Sequence, residues 1–280
     1  MNSKKNYFIM GYPEAGKTTY LAALWYSLLN ANASDDISYE VSNIGDSTYL
    51  SSLSQTWVNA EALPRTVSGN EQRDIVINIK EKKNDSICEL RFADLSGETF
   101  TEVYAYRKIE KDIFERIKKA DGFLLFVNVG RIKKPVLISN LEVSFVDEKQ
   151  TEESFRRNPA KDDSDCIKII DLIQNVQKIN ENEIIKLSVV LSAWDLAMRK
   201  DITPEEYIRQ EMNILWQFLR SNHSSINTKI WGVSAQGGDL ATEADKLRGF
   251  ESPLDRIKVV NECGELSKDI ILPIKELSGE

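Results

Sequence analysis

The chain has 280 residues, 41% hydrophobic and 29% charged, with a formal net charge of −8. That length can bury a large core, in one large domain or two small ones, and the acidic balance excludes a general electrostatic attraction to nucleic acid or an anionic membrane. No apolar run approaches the roughly 20 residues that span a bilayer, and Met1-Asn2-Ser3-Lys4-Lys5 offers neither an apolar signal core nor a myristoylation pattern, so the expected compartment is the cytoplasm. Cys88, Cys166 and Cys263 are isolated, and His223 is the one histidine. Clustered-cysteine metal sites and most histidine triads are thereby excluded.

In chain order, Tyr7-Phe8-Ile9-Met10 predicts a buried strand. Gly11 to Thr18 then reads GYPEAGKT, the pattern G-x-x-x-x-G-K-[ST] that wraps phosphates. A helix follows from Thr18 to Leu29, with Leu21, Leu24, Trp25 and Leu28 on one face. The loop therefore joins a strand's carboxyl end to a helix's amino end. There the glycines let the backbone approach closely, and N–H groups with the helix dipole point at an anion. In such a loop Lys17 bridges the β- and γ-phosphates and the Thr18 hydroxyl ligates Mg²⁺.

From Asn30 to about Asn70 the sequence is polar and broken by Ser, Asn, Asp and Gly. A stretch of that length in a compact domain points to a functional or partly ordered loop. Within it, Leu50, Leu53 and Trp57 predict a short helix over Thr48 to Val58, and Leu63-Pro64-Arg65-Thr66 is extended. The alternating stretches Ile75 to Lys80 and Ile87 to Phe92 predict an antiparallel hairpin. The second runs into Ala93-Asp94-Leu95-Ser96-Gly97-Glu98. At such a strand end the Asp94 carboxylate reaches Mg²⁺ through water and the Gly97 N–H meets the γ-phosphate; the plain alternative is an Asx-capped turn. A helix from Phe100 to Lys119 precedes Gly122 to Val129, whose apolar run predicts a central parallel strand.

Gly130 to Asp165 reads as a charged insertion on the ligand face, with a small hairpin through Val136, Ile138, Val143 and Phe145. A helix over Ile169 to Ile179 and a strand over Leu187 to Ser192 follow. Behind that strand stands Ser192-Ala193-Trp194-Asp195. A carboxylate at Asp195 can accept from both the ring N–H and the exocyclic amine of guanine, whereas adenine presents the opposite pattern. The alternative for Asp195 is a helix cap. Trp194 reads as core first, and as a cover for the base second. Thr203-Pro204-Glu205-Glu206 opens a capped helix through Ile208, Met212, Leu215 and Leu219. Thr228 to Val233 is a last strand, and Ser234-Ala235-Gln236 beyond it offers backbone N–H groups to guanine O6. A final helix spans about Asp269 to Leu277, its register disturbed by Pro273. The alternation predicts an α/β fold: a mixed, mostly parallel sheet covered on both faces, with one antiparallel hairpin and the ligand at the strands' carboxyl ends.

The order GYPEAGKT, DLSGE, SAWD, SAQ resembles the Ras-like, translation-factor-related class of P-loop GTPases. GYPEAGKTTYLAALW more narrowly resembles the bacterial double-GTPase-like domains found with conflict and defence systems. The resemblance covers nearly the whole chain. It implies a three-layer P-loop NTPase fold over residues 1–280, with a long first switch at 30–70 and the insertion at 130–165. It implies GTP or GDP and Mg²⁺ as ligands. Gly11, Glu14, Ala15, Gly16, Lys17, Thr18 and Thr19 would hold phosphates, and Asp94 and Gly97 would form the second switch. Asp195 would read the base, flanked by Ser234 and Ala235. The first-switch threonine on Mg²⁺ is assigned to Thr66, with Thr48 and Thr56 as rivals.

Two departures stand out. Ser192 and Ala193 occupy the first two positions of the usual base motif N-K-x-D, which removes its lysine. Glu98 occupies the position where Ras-like enzymes carry glutamine. A carboxylate beside a polyanion is costly, so slow turnover is expected of a catalytic set formed by Lys17, Thr66 and Glu98. Extra positive charge would come from Arg65 or Arg73, or from a partner's arginine. The implied function is a Mg²⁺-dependent GTP switch for an effector or regulatory protein, in bacterial defence, with a nucleotide-dependent oligomer among its forms. The rivals are an ATPase of the same fold and a non-hydrolysing nucleotide-binding module.

Overall fold

The computed structural model of the chain describes residues 4–30, 39–43, 47–64, 75–83, 86–92, 97–135, 158–198 and 201–278. The amino-terminal half gives β1 (Lys5–Met10), α1 (Lys17–Leu29), β2 (Tyr39–Asn43), α2 (Thr48–Val58), β3 (Ile75–Glu81) and β4 (Ile87–Phe92). Next come α3 (Glu98–Tyr106), α4 (Lys111–Lys119), β5 (Gly122–Asn128), α5 (Pro159–Asp162) and α6 (Asp165–Ile179). Then follow β6 (Ile185–Ser192), α7 (Asp195–Met198), α8 (Pro204–Glu211), α9 (Asn213–Ser221) and β7 (Ile226–Ser234). The chain closes with α10 (Leu240–Arg248), β8 (Lys258–Val260), β9 (Leu266–Ser267) and α11 (Leu272–Ser278).

The strands form one sheet in the order β2-β3-β4-β1-β5-β6-β7-β8-β9. Its central block, β4-β1-β5-β6-β7, is parallel throughout. Antiparallel pairs extend both edges, β3 and β2 on one side and β8 and β9 on the other. The central strands are apolar because they are covered on both faces. Along β1, Tyr7 and Ile9 enter a core shared with α1, α2 and α11, while Phe8 and Met10 enter a second core with α4, α6 and α9. The layers are helix, sheet, helix. Among the described residues no helix is long and apolar enough to cross a membrane.

Several expectations need correction. The edges carry more antiparallel strand than the single predicted hairpin. In β2 only Tyr39 and Val41 are apolar, and β8 and β9 are three and two residues long, too little pattern to stand out from loop sequence. The helix expected over Phe100 to Lys119 is two helices, because Arg107 takes a left-handed φ of 56° and closes α3 through its N–H on Val103 O. The helix after Thr203 also breaks, at Met212 (φ −132°, ψ 47°). Its predicted capping box is present: Thr203 and Glu206 exchange side-chain and backbone hydrogen bonds. Pro273 sits in the first turn of α11, where its missing N–H costs nothing. The hairpin suggested through Val136 and Phe145 lies outside the described residues.

Candidate functional site

Parallel pairing brings the carboxyl ends of β1, β5, β6 and β7 to one edge, with Met10 opposite Leu125, Asn128 opposite Ser192, and Ser192 opposite Val233. From Met10 the chain loops through residues 11–16 and enters α1 at Lys17. Gly16 caps α1 with φ 90°, and a Cβ there would fall 2.6 Å from Ser192 Oγ. Gly97 has φ 78°, and a Cβ on it would lie 2.5 Å from Tyr12 C and 2.6 Å from Gly11 O. Both positions need glycine for conformation and for space. Gly97 thereby sets the amino end of α3 directly against the loop backbone. Lys17 is 2% exposed and folds back, its Nζ donating to Gly11 O (2.6 Å) and Tyr12 O (3.1 Å).

The neighbouring strand ends grip the loop from the other side. Ser192 Oγ donates to Ala15 O at 2.8 Å, and Asn128 Nδ2 donates to Glu14 O at 3.0 Å. Beyond β6 the chain turns through Ala193 (φ 52°) into Asp195. Asp195 Oδ1 accepts from Ser234 Oγ at 2.6 Å, and that hydroxyl accepts from the Gly237 N–H at 3.1 Å. Trp57 of α2 donates its Nε1 proton to Ala235 O at 3.0 Å. Trp194 is 1% exposed, packed on Gly232 and edge-on to Tyr207 at 5.6 Å, so it is a core residue and not a cover for a ligand.

Two cavities adjoin at this edge. One, of about 370 Å³, is walled by apolar Tyr20, Phe126, Val233 and Ala235 and has Asp195 in its lining. The other, of about 560 Å³, surrounds the amino end of α1, with Lys17, Thr18, Leu63, Pro64 and Glu98 in its wall. Gly16, Thr19, Asn128, Arg131, Gln236 and Asp239 line both and mark the join. Gln236 Nε2 is buried without a hydrogen-bond partner. Of the described lining residues, Lys17 and Arg131 are cationic, whereas Glu14, Glu98, Asp195 and Asp239 are anionic. A cavity with apolar walls and a carboxylate in its lining, joined to a glycine-shaped anion loop at a helix amino end, fits a nucleotide's base and phosphates.

Most residues singled out from the sequence gather here. Glu14, Ala15, Gly16, Lys17, Thr18, Thr19, Glu98, Asp195 and Ala235 line the cavities, and Gly11, Gly97 and Ser234 lie behind them. Thr66, Asp94, Arg65 and Arg73 lie outside the described residues. Thr48 and Thr56 belong to α2 and line neither cavity; the Thr56 hydroxyl bonds to Ser52 O. Thr18 is the remaining Mg²⁺-ligand candidate among the described residues. Sequence reasoning missed Asn128, Arg131 and Asp239 as site residues, and took Gln236 for its backbone N–H only. The one available signal was a polar Asn128 ending an otherwise apolar strand.

The family model described as Double-GTPase 1 matches residues 8–277. Among solved structures the chain is similar to Methanosarcina barkeri Roco2 RocCORdC bound to GDP, at 12% identity and a TM-score of 0.38, over 89% of this chain and 48% of that one. It is similar to the S. cerevisiae Ski7 GTPase-like domain bound to GTP, at 16% identity and a TM-score of 0.37, over 84% and 43%. It is also similar to a bacterial selenocysteine-specific elongation factor EF-Sec, at 16% identity and a TM-score of 0.37, over 88% and 28%. The chain spans less than half the length of each of these three. No curated protein matches it.

Proposed function

The chain belongs to the Double-GTPase 1 family, a family of GTP-binding, GTP-hydrolysing proteins, and from that premise we propose that it is a slow, Mg²⁺-dependent guanine-nucleotide switch that signals to another protein. The observation that carries the guanine reading is the Asp195 carboxylate in the lining of the first cavity, oriented by the Ser234 hydroxyl. A carboxylate there matches guanine's two adjacent donors and opposes adenine's acceptor. Ala193 leaves that edge without the cation of the usual base motif, so base selection rests on Asp195.

Thr18, with Asp94 and Thr66, would hold Mg²⁺, which when bound screens the phosphates and polarises the γ-phosphoryl group. Lys17 would leave its two carbonyls for the phosphate oxygens, and Glu98 would orient water at the carboxyl side of the loop. Two features support a switch: Gly97 sets the amino end of α3 against the phosphate loop, and Ala62, Leu63 and Pro64 of the proposed first switch line the phosphate cavity. On this reading the 280 residues act as one domain in the cytoplasm, the effector surface changes with the γ-phosphate, and defence is the setting the family resemblance suggests.

Calorimetric titration of the nucleotide-free protein with GDP and ADP in Mg²⁺ tests the reading, with Lys17→Ala alongside. It requires GDP to bind at least about a hundredfold more tightly than ADP, the scale of discrimination a buried polar pair delivers, and Lys17→Ala to abolish the signal. Equal affinities would leave the ATPase reading standing. Absence of binding to either nucleotide would defeat the site assignment.

A further inference from the structure

The charges around the joined cavities pose a problem. A nucleoside diphosphate brings several negative charges to a wall whose described residues include four carboxylates and two cations. Lys17 is one cation, resting on Gly11 O and Tyr12 O and already assigned to the β- and γ-phosphates. The other is Arg131, which no base or phosphate motif of the sequence contains.

Arg131 is held where the two cavities meet. Asn128 ends β5 and donates through Nδ2 to Glu14 O, while its Oδ1 accepts from the Gly130 N–H at 2.9 Å. The Arg131 N–H in turn donates to Asn128 O at 3.2 Å. One side chain thus ties the turn that carries Arg131 to the phosphate loop. The guanidinium also pairs with the Glu14 carboxylate of that loop. Both partners are open to solvent, at 61% and 46% exposed, and an exposed pair of this kind is held weakly and exchanged readily. A phosphate oxygen in the adjoining cavity is a stronger partner for a planar fork of N–H donors.

Resting on the guanine-nucleotide reading, we propose that Arg131 is a nucleotide-binding residue: its guanidinium leaves Glu14 and takes the α-phosphate, with Asn128 as its positioning residue. The α-phosphate follows from location. Arg131 lines both cavities, and a nucleotide with its base in one and its terminal phosphates in the other would place its sugar and first phosphate at that shared lining. It supplies from the end of β5 the positive charge missing at Ala193. The chemistry is ground-state binding, so it serves GDP and GTP alike and leaves the transferring phosphoryl group untouched.

The test is Arg131→Ala, measured on wild-type and Glu14→Gln backgrounds with GDP, GTP and guanosine as probes, and with single-turnover GTP hydrolysis read at saturating protein. Arg131→Ala should weaken GDP and GTP by the same factor, roughly tenfold to a hundredfold for loss of a charge-assisted hydrogen-bond pair. That loss should persist with Glu14→Gln, guanosine binding should not change, and the hydrolysis rate should stay within about twofold, since no transition-state contact is removed. Arg131→Lys should recover part of the loss, because it keeps the charge without the fork. A loss that vanishes on the Glu14→Gln background overturns the proposal, since Arg131 would then only neutralise that carboxylate. Unchanged GDP affinity also overturns it, as does a fall confined to the hydrolysis rate. If wild-type protein fails to bind GDP, the guanine reading itself falls, which the wild-type titration shows separately. Both side chains are exposed, so matching thermal melts establish that the variants fold.

Discussion

The guanidinium of Arg256 lies over the indole of Trp57, 4.6 Å from its centroid, and the two side chains are 1% and 0% exposed. Arg256 donates to Trp57 O at 3.1 Å and to Val58 O at 2.8 Å, satisfying carbonyls at the carboxyl end of α2. Burial lowers its pKa, yet its neighbours are carbonyls and a ring face, which accept a cation. Trp57 passes the connection onward through its hydrogen bond to Ala235 O. The helix inside the proposed first switch is therefore bolted to the proposed base loop. Trp57→Phe keeps an aromatic face, though a smaller one, and leaves the buried Ala235 carbonyl without its donor. It should destabilise the protein by about 1–3 kcal/mol in urea unfolding and weaken GDP binding through the displaced loop. Full stability with weakened GDP binding would show that the bond serves the ligand alone; unchanged values of both would disprove the linkage.

Ser192 occupies the first position of the altered base motif, and its hydroxyl reaches Ala15 O across the loop. Ser192→Ala removes that donor from a buried site and leaves the loop held from this side by Asn128. GDP affinity should fall about fivefold to tenfold, the scale of one neutral hydrogen bond, with little change in guanine-over-adenine preference, since the Ser192 hydroxyl is engaged by Ala15 O. Calorimetry with both diphosphates reads the two quantities at once. A change in preference without a change in affinity would place Ser192 against the base instead.

These two cases show what the chain discloses in sequence. The phosphate loop was legible because strand, glycines, lysine and helix lie within a dozen consecutive residues and their chemistry is local. Asp195 and Ser234 were legible because strand ends at one edge of a parallel sheet converge. The bond from Asn128 to Glu14 spans 114 positions and that from Trp57 to Ala235 spans 178, so no pattern window contains either. The helix breaks at Arg107 and Met212 were hidden for another reason. Apolar periodicity runs on through both, and a left-handed arginine or a single turned methionine has no residue-type signature. Arg131 left no mark because a lone arginine after a strand is ordinary.

Asp195→Asn exchanges an acceptor for a donor on one side of the proposed base contact. Ser234 Oγ can still donate to the carbonyl oxygen of the amide, so the turn should hold. Guanine then meets a donor facing its own exocyclic amine, and GDP affinity should fall at least about a hundredfold. A nucleotide with a carbonyl in place of that amine, xanthosine diphosphate, should gain affinity in the same variant. If GDP binding survives unchanged, Asp195 is only the first residue of α7 and the guanine reading loses its base.

Glu89 on β4 receives Lys4 Nζ at 2.6 Å and an Arg91 guanidinium nitrogen at 2.7 Å, and its side chain is 12% exposed. Burial alone would raise its pKa, but the hydrogen bonds from Lys4 and Arg91 outweigh burial and hold it below the ordinary 4.5. The sign follows from linkage. A carboxyl with a depressed folded pKa contributes stability above its unfolded pKa and loses it as pH falls through the folded one. Urea midpoints taken from neutral pH downward should therefore drop more steeply below 4.5 in wild type than in Glu89→Gln. Parallel curves would mean that the Lys4 and Arg91 contacts are not held in solution.

Glu98 opens α3 and lines the phosphate cavity from an exposed position. The helix amino end favours its charge, while bound phosphates oppose it, so the residue makes sense only if it contributes more to hydrolysis than it costs in affinity. Two substitutions separate orientation from repulsion. Glu98→Ala removes both and should tighten GTP binding a few-fold while slowing single-turnover hydrolysis by at least about tenfold, the lower end of what a positioned group contributes. Glu98→Gln keeps the reach toward water and loses the charge, so it should tighten GTP binding and hydrolyse at least as fast as wild type. If glutamine instead matches alanine, the carboxylate itself removes a proton from the attacking water. If alanine hydrolyses as fast as wild type, Glu98 has no part in the chemistry.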